Sequence, residues 1–223
     1  MHRATYLLQI FFYLLYSCRG QNCPERNGRF ADPNQCDAYL ECEDGVPTPK
    51  LCPDGLMFSN EASFFSYPCV YPGQTDCSTR TTTQPAKPTA ICPHQFGYFL
   101  LGDAYNCGQY LNCAHGKGYT FTCPEGLAFN EISLRCDWAD LVPSCNAEGY
   151  LGFSCPVTYS NELGYPAEYT YHRAAGSCDK YFICIQDRPR LFRCPEGQAF
   201  NEDTKKCEDE RDVPGCYSQG LQG

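Results

Sequence analysis

Cys107-Gly-Gln-Tyr-Leu-Asn-Cys113, followed nine residues later by Cys123, is the stretch on which the reading of this chain turns. The same phrase stands at Cys36-Asp-Ala-Tyr-Leu-Glu-Cys42 before Cys52, and at Cys178-Asp-Lys-Tyr-Phe-Ile-Cys184 before Cys194. Working outward, each copy extends to six cysteines. The groups are Cys23, Cys36, Cys42, Cys52, Cys69, Cys77; Cys92, Cys107, Cys113, Cys123, Cys136, Cys145; and Cys155, Cys178, Cys184, Cys194, Cys207, Cys216. Five residues always separate the second cysteine from the third, and nine the third from the fourth. The fourth gap holds 16, 12 and 12 residues, the last holds 7, 8 and 8, and only the first drifts, at 12, 14 and 22. A ruler repeated in this way marks one small cystine-stapled module present three times.

The nineteenth cysteine, Cys18, falls in residues 1–20, which read as a secretory signal. His2 and Arg3 form a short basic start, Tyr6–Tyr16 is an apolar run broken only by Gln9, and Ser17, Cys18 and Gly20 supply small residues for cleavage after Gly20. The run is shorter than the ~20 residues that a membrane-spanning helix needs. Removal of Cys18 leaves an even number of cysteines, as expected of an exported chain in which disulfides persist. Modules of 23–77, 92–145 and 155–216 are small enough that a hydrophobic core alone is marginal, and bridges worth ~2–4 kcal/mol each offset the deficit.

The cysteines offer no metal set. No C-x-x-C pair occurs, and His94, His115 and His172 sit at unrelated places in the ruler, so neither a metal nor a cofactor is expected. The chain carries a formal charge of −9; losing residues 1–20 removes Arg3 and Arg19 and no acid, which leaves −11. Repulsion makes nucleic acid and anionic membrane unsuitable partners, while a neutral or weakly cationic polymer fits. No catalytic residues are assigned. Glu208, Asp209, Glu210 and Asp212 lie in one short loop and read as a solvated face, and neither a His/Asp metal set nor a serine elbow is present.

Residues 78–91 are rich in Thr and Pro and read as an extended, semi-rigid spacer reaching roughly 40 Å at ~3.1 Å per residue. Its threonines are candidates for O-linked sugar; no N-x-[ST] acceptor occurs in the chain. The connection 146–154 is shorter and carries Tyr150, Leu151 and Phe153, which favours contact between the second and third modules. A short tail, 217–223, follows the last cysteine.

Within each module, the phrase between the second and third cysteines reads as a strand. A turn cluster and a returning strand to the fourth cysteine complete a β-hairpin, and no helical period is present beyond room for a short turn late in a module. Strand alternation sets Cys36 and Cys42 with Ala38 and Leu40 on one face and Asp37, Tyr39 and Glu41 on the other. The same offset gives Tyr110 beside Gly108 and Asn112, and Tyr181 beside Asp179 and Ile183. Two readings of these tyrosines stay open: a platform for a ligand, or a cover over a disulfide. The phrase Cys-Pro-[Asp/Glu]-Gly-x-x-Phe follows at Cys52, Cys123 and Cys194. Its Pro and Gly make a turn, and Phe58, Phe129 and Phe200 are expected in the core. Two positions beyond the fifth cysteine stand Tyr71, Trp138 and Asp209; an indole flanked by Asp137 and Asp140 suits sugar, the ring stacking on C–H faces and the acids accepting hydroxyls.

With these motifs in hand, each module resembles the type-2 chitin-binding, or peritrophin-A, domain. The array of a leader and three modules over 23–216 is similar to the arthropod cuticular proteins analogous to peritrophins, the obstructor family. The resemblance implies a small disulfide-rich all-β fold in which each of three tandem six-cysteine modules is a three-stranded sheet plus a short hairpin. It implies bridges Cys23–Cys42, Cys36–Cys77, Cys52–Cys69, Cys92–Cys113, Cys107–Cys145, Cys123–Cys136, Cys155–Cys184, Cys178–Cys216 and Cys194–Cys207; spacing alone leaves fifteen connectivities per module open. It also implies chitin-binding aromatics at Tyr39, Tyr71, Tyr110, Trp138 and Tyr181. The longer fourth gap of the first module, around Phe64–Pro68, and Asp209 in the third depart from the pattern and set the three sites apart. The expected function is that of a secreted, non-catalytic protein that binds and organises chitin in a cuticular extracellular matrix. The alternatives are a gut peritrophic-matrix peritrophin and a secreted interaction module that recruits chitin-modifying enzymes or other cuticle proteins. Growth-factor-like repeats need C-x-C and hevein-type lectins need adjacent cysteines, and both are absent.

Overall fold

The computed structural model describes residues 22–63, 65–156 and 168–216. The expected signal with Cys18, Phe64 of the longer gap, residues 157–167 within the third module's first gap, and the tail 217–223 lie outside the described residues. The chain folds as two compact units that divide after Phe96.

The same pair of small sheets recurs three times. In the first unit, β1 (Gly28–Ala31), β2 (Ala38–Glu43) and β3 (Val46–Leu51) form an antiparallel sheet in that order, and β4 (Met57–Phe58) pairs with β5 (Cys69–Val70). In the second unit the three-stranded sheets are β6 (Gly97–Leu101), β7 (Gln109–Ala114) and β8 (Lys117–Thr122), then β11 (Tyr169–Arg173), β12 (Lys180–Ile185) and β13 (Arg188–Arg193). Each is followed by a two-stranded hairpin: β9 (Leu127–Asn130) with β10 (Arg135–Trp138), and β14 (Gln198–Asn201) with β15 (Lys206–Asp209). The hairpin turns take left-handed backbone at Asp44-Gly45, His115-Gly116 and Gln186-Asp187, which twists two-residue loops to match the strands.

Bridges join Cys23–Cys42, Cys36–Cys77 and Cys52–Cys69 in the first unit. In the second they join Cys107–Cys145, Cys123–Cys136, Cys155–Cys184, Cys178–Cys216 and Cys194–Cys207. Cys92 and Cys113 are also disulfide-bonded. Closed loops of 13 to 41 residues correspond to about 3–4 kcal/mol each on the chain-entropy scale. That is large against cores as small as Cys52, Leu56, Phe58 and Cys69, or Cys107, Ala128, Ala139 and Val142. The outer strand β3 is exposed throughout and carries Pro47 and Pro49 at alternate positions, a pattern that only an edge tolerates.

The Thr/Pro segment after Cys77 is extended, as its composition predicts, but it is not a free spacer. It is strapped to the first module. Gln35 bridges Thr81 and Thr82, the Cys36 N–H donates to Thr82 O at 2.8 Å, and the Arg80 side chain is buried. The Gln84 and Lys87 N–H groups donate to the carboxylates of Asp37 and Asp54 at 2.8 Å each. Composition reports the backbone preference of a linker; whether the linker docks depends on acceptors elsewhere in the chain. Asp37, expected on the exposed face of its strand, is for the same reason buried: its two oxygens are taken by Gln35 and Gln84.

Between the second and third modules, residues 147–151 form a single helical turn, α1 (Ala147–Leu151). Asn146 caps it by accepting the Gly149 N–H, and Gly152 ends it in left-handed conformation at φ 64°, the arrangement expected of a capped turn. The Tyr150 hydroxyl donates to Leu127 O, and Phe153 lies flat on Phe182 at 4.1 Å. The two modules therefore touch through the connection that joins them.

Candidate functional site

Cross-strand register decides which side chains share a face with the repeated tyrosine. In the second module Leu100, Tyr110 and Phe121 are paired across the sheet, and so are Tyr98, Asn112 and Tyr119. The corresponding sets are Ala31, Tyr39, Lys50 and Arg29, Glu41, Thr48 in the first module. In the third they are Arg173, Tyr181, Phe192 and Tyr171, Ile183, Arg190.

Each tyrosine is half-buried, because the phenylalanine of the Cys-Pro-[Asp/Glu]-Gly turn lies against it. Tyr39 stacks on Phe58 at 4.6 Å, Tyr110 on Phe129 at 4.4 Å, and Tyr181 on Phe200 at 4.2 Å. The three phenylalanines are each 1% exposed, so one face of every tyrosine ring is core packing. The second module then continues outward: Phe121 lies near-parallel to Tyr110 at 5.6 Å and is 45% exposed, and Tyr119 is 51% exposed. Tyr98 adds a tilted ring at 6.2 Å from Tyr110. This aromatic shelf is the surface best suited to a flat, C–H-rich ligand. Phe121 and Tyr119 were not singled out in the sequence, although the alternation Tyr119-Thr120-Phe121 in the returning strand is the signal that carries them.

The first and third modules build the same face differently. Lys50 takes the place of Phe121 beside Tyr39, and Glu41 accepts from Arg29 at 2.9 Å and pairs with Lys50 at 3.6 Å. Burial raises the Tyr39 phenol above its ordinary value, Glu41 adding to the effect and Arg29 opposing it. Tyr71 packs partly buried on the Cys52, Leu56, Phe58 and Cys69 cluster. The longer fourth gap exposes Phe65 and Tyr67 strongly, and Arg29 holds the loop by donating to Ser66 O at 2.7 Å. An open groove of about 790 Å³ is lined by Tyr39, Lys50, Phe30, Leu40, Pro49 and Leu51 among others.

In the third module, Phe192 lies 5.7 Å from Tyr181, and its next neighbour is Trp138 of the second module, at 4.8 Å. The indole therefore extends the row Phe200, Tyr181, Phe192 from the second module. Arg190 sits 5.5 Å over the indole and grips Asp140 with two bonds of 2.9 Å. Asp140 is almost fully covered, and Asp137 accepts the backbone N–H of Trp138. Asp140 is thus occupied by protein, contrary to the expectation that it waits for sugar hydroxyls: the bidentate guanidinium is a better partner than water for a covered carboxylate. Nearby, Lys180 and Arg193 converge on Glu125 and hold its carboxyl below the usual range, the Lys180 bond contributing most. A groove of about 320 Å³ runs beside Trp138, lined by Pro124, Glu125, Leu127, Asp137 and Leu191. Asp209 is held far below the ordinary carboxylate range by the Arg211 guanidinium and N–H. Glu208 accepts from Thr204 and Asn201, so both of these acids are paired within the loop. Among the described residues no cluster of His, Cys, Asp and Glu is placed to hold a metal.

The profile of the Chitin binding Peritrophin-A domain matches residues 23–77, 92–145 and 166–216. Protein obstructor-E of Drosophila melanogaster is 48% identical over 204 residues, covering 88% of this chain and 82% of that protein. Peritrophin-44 of Lucilia cuprina is 27% identical over 184 residues, 82% of this chain but 45% of that longer protein. Peritrophin-1 of Anopheles gambiae is 33% identical over 132 residues, 56% of this chain and 84% of its own length. A cysteine ruler in three copies, a pair of small sheets in each, and matched residues over most of the chain lead to one assignment: this protein belongs to the chitin-binding peritrophin-A domain family.

Proposed function

We propose that this chain is a secreted, non-catalytic protein of a chitin-containing extracellular matrix, which holds and organises chitin by stacking aromatic rings on the sugar. The observation that carries the reading is the shelf of Phe121, Tyr119, Tyr110 and Tyr98, an exposed aromatic surface on a family member. Phe121 and Tyr119 make the contact; Tyr110, with its inner face on Phe129, supports them. In the first module Tyr39 works with Tyr67, and in the third Tyr181 and Trp138 contribute through one shared row, with Tyr71 as a packing residue at the base of its module. Three modest sites on one chain gain from one another, since a bound module presents the next at an effective concentration near millimolar and avidity rises ~10²–10⁴-fold where geometry permits. Modules on different polymer strands cross-link them. The stronger similarity to obstructor-E than to Peritrophin-44 favours cuticle over gut lining, with cuticle proteins and chitin-modifying enzymes as further partners. Export directed by residues 1–20 fits a fold that depends on disulfides. The test is retention of the whole refolded chain on chitin beads with cellulose as control: selective retention is expected, and equal passage through both columns refutes the reading.

A further inference from the structure

At the centre of the aromatic shelf sits one polar residue whose side-chain oxygen has no partner among the described residues. Asn112 lies on β7 between Tyr98 and Tyr119 in register and two residues from Tyr110. Its Oδ1 is buried with no hydrogen-bond partner among the described residues, although the great majority of buried side-chain polar atoms find one. An amide left in this condition costs the folded chain stability, so its place among the rings calls for a reason other than folding. The equivalent positions show that the amide is no requirement of the fold. Glu41 stands there in the first module, saturated by Arg29 and Lys50, and Ile183 in the third, with no polar atom at all.

We propose that Asn112 recognises the acetamido group of an N-acetylated sugar lying on the shelf, so that the second module discriminates acetylated from deacetylated polymer. The inference rests on the chitin-binding reading above and adds to it the chemical feature that is selected. An acetamido group offers one N–H donor and one C=O acceptor. With Oδ1 turned inward, Nδ2 is the end that faces the ligand, and it donates to the acetyl carbonyl. Tyr98 and Tyr119 flank the amide, and the acetyl methyl then rests on ring carbon. A glucosamine unit has an ammonium in place of this group and offers Nδ2 no acceptor, the situation in which a polar site discriminates best.

The experiment measures binding of the whole chain, made through an oxidising secretory route, to soluble N-acetylated and fully deacetylated chito-oligosaccharides of equal length. Salt of about 0.5 M suppresses attraction between the acidic chain and the cationic sugar. Asn112→Leu, which keeps the volume, and Asn112→Ala are compared with the parent, and the disulfide map verifies the fold of each. Loss of one hydrogen bond predicts a fall of roughly 2- to 10-fold for the acetylated oligosaccharide, with affinity for the deacetylated one unchanged. Phe121→Ala, by contrast, lowers both. Variants that lower both ligands equally, or neither, overturn the acetamido assignment while the chitin reading stands. A parent that binds neither sugar nor chitin beads overturns both.

Discussion

Phe121 and Tyr110 divide between them what one ring was expected to do. Tyr110 is pinned against Phe129 and Phe121, so Tyr110→Ala should cost about 2–3 kcal/mol of module stability, less than a fully buried ring, because it is half-exposed. Phe121→Ala should leave the unfolding midpoint nearly unchanged and weaken chitin binding roughly 2- to 10-fold, the worth of one ring contact. Urea titrations and binding isotherms of the two variants separate the roles; an inverse result would return the platform to Tyr110. The position of the tyrosine was legible in Cys-x-x-Tyr-x-x-Cys, and the burial of Phe129 in its turn motif. What the sequence could not reveal is that the two meet, since contact between separate motifs is a property of the folded chain. Trp138 is the sharper case. Its ring type and neighbouring acids pointed to sugar, whereas Phe192 and Arg190, which cover the ring and pair with Asp140, lie fifty or more residues away and no local pattern announces them.

At the scale of elements, the Cys-Pro-[Asp/Glu]-Gly turn is a place where backbone is received. Gly55, at φ 95°, leaves room for Phe96 O where a Cβ would stand 1.9 Å away, and Gly126, at φ 87°, does the same for Leu191 at 2.9 Å. Gly197 has the same left-handed backbone and open space beside it. Alanine at either of the last two incurs the left-handed penalty of about 1–2 kcal/mol, and Gly126→Ala should cost more than Gly197→Ala by the repulsion from Leu191. Matched denaturation curves of the pair isolate that difference. In the first module the turn acid is what holds the strap. Asp54 accepts from the Lys87 and Gln95 N–H groups and from His94 Nδ1, which carries the hydrogen because a carboxylate only accepts. Burial would raise the Asp54 carboxyl, but these bonds outweigh it and hold it below the ordinary range. A depressed carboxyl contributes its full share of stability above the unfolded value of about 3.9 and loses it as pH falls through the folded value. Amide exchange at Lys87 and Gln95, corrected for its intrinsic pH dependence, should therefore stay slow down to about pH 4 and quicken below it. Asp54→Asn should quicken it roughly tenfold or more already at neutral pH. Equal protection in parent and variant would show that the strap is held by Gln84 and Arg80 alone. A Thr/Pro composition told that residues 78–91 are extended; it carries no record of the acids that await them.

Across the second unit, the two modules act as one body. Phe153 on Phe182, Trp138 on Phe192, the Arg190–Asp140 pair and Glu125 between Lys180 and Arg193 are four separate fastenings. The exposed Glu125 pairs add little. Arg190→Ala leaves a covered carboxylate unpaired and should cost about 1–3 kcal/mol, below the figure for a fully buried pair because the guanidinium is partly exposed. Small-angle scattering of the whole chain should then report a broader distribution of dimensions, while the bridges within each module remain. The three-module plan and the sheet order were readable from the ruler and from the family it resembles; the junction was foreshadowed only by Tyr150, Leu151 and Phe153 in the connection.

Pro47 and Pro49 on the rim of the first sheet carry a last implication. A strand lacking amide hydrogens at two alternating places cannot donate a continuous row of bonds to a neighbouring polypeptide. Crowded along a fibre, copies of this chain are barred from zipping edge to edge at that rim.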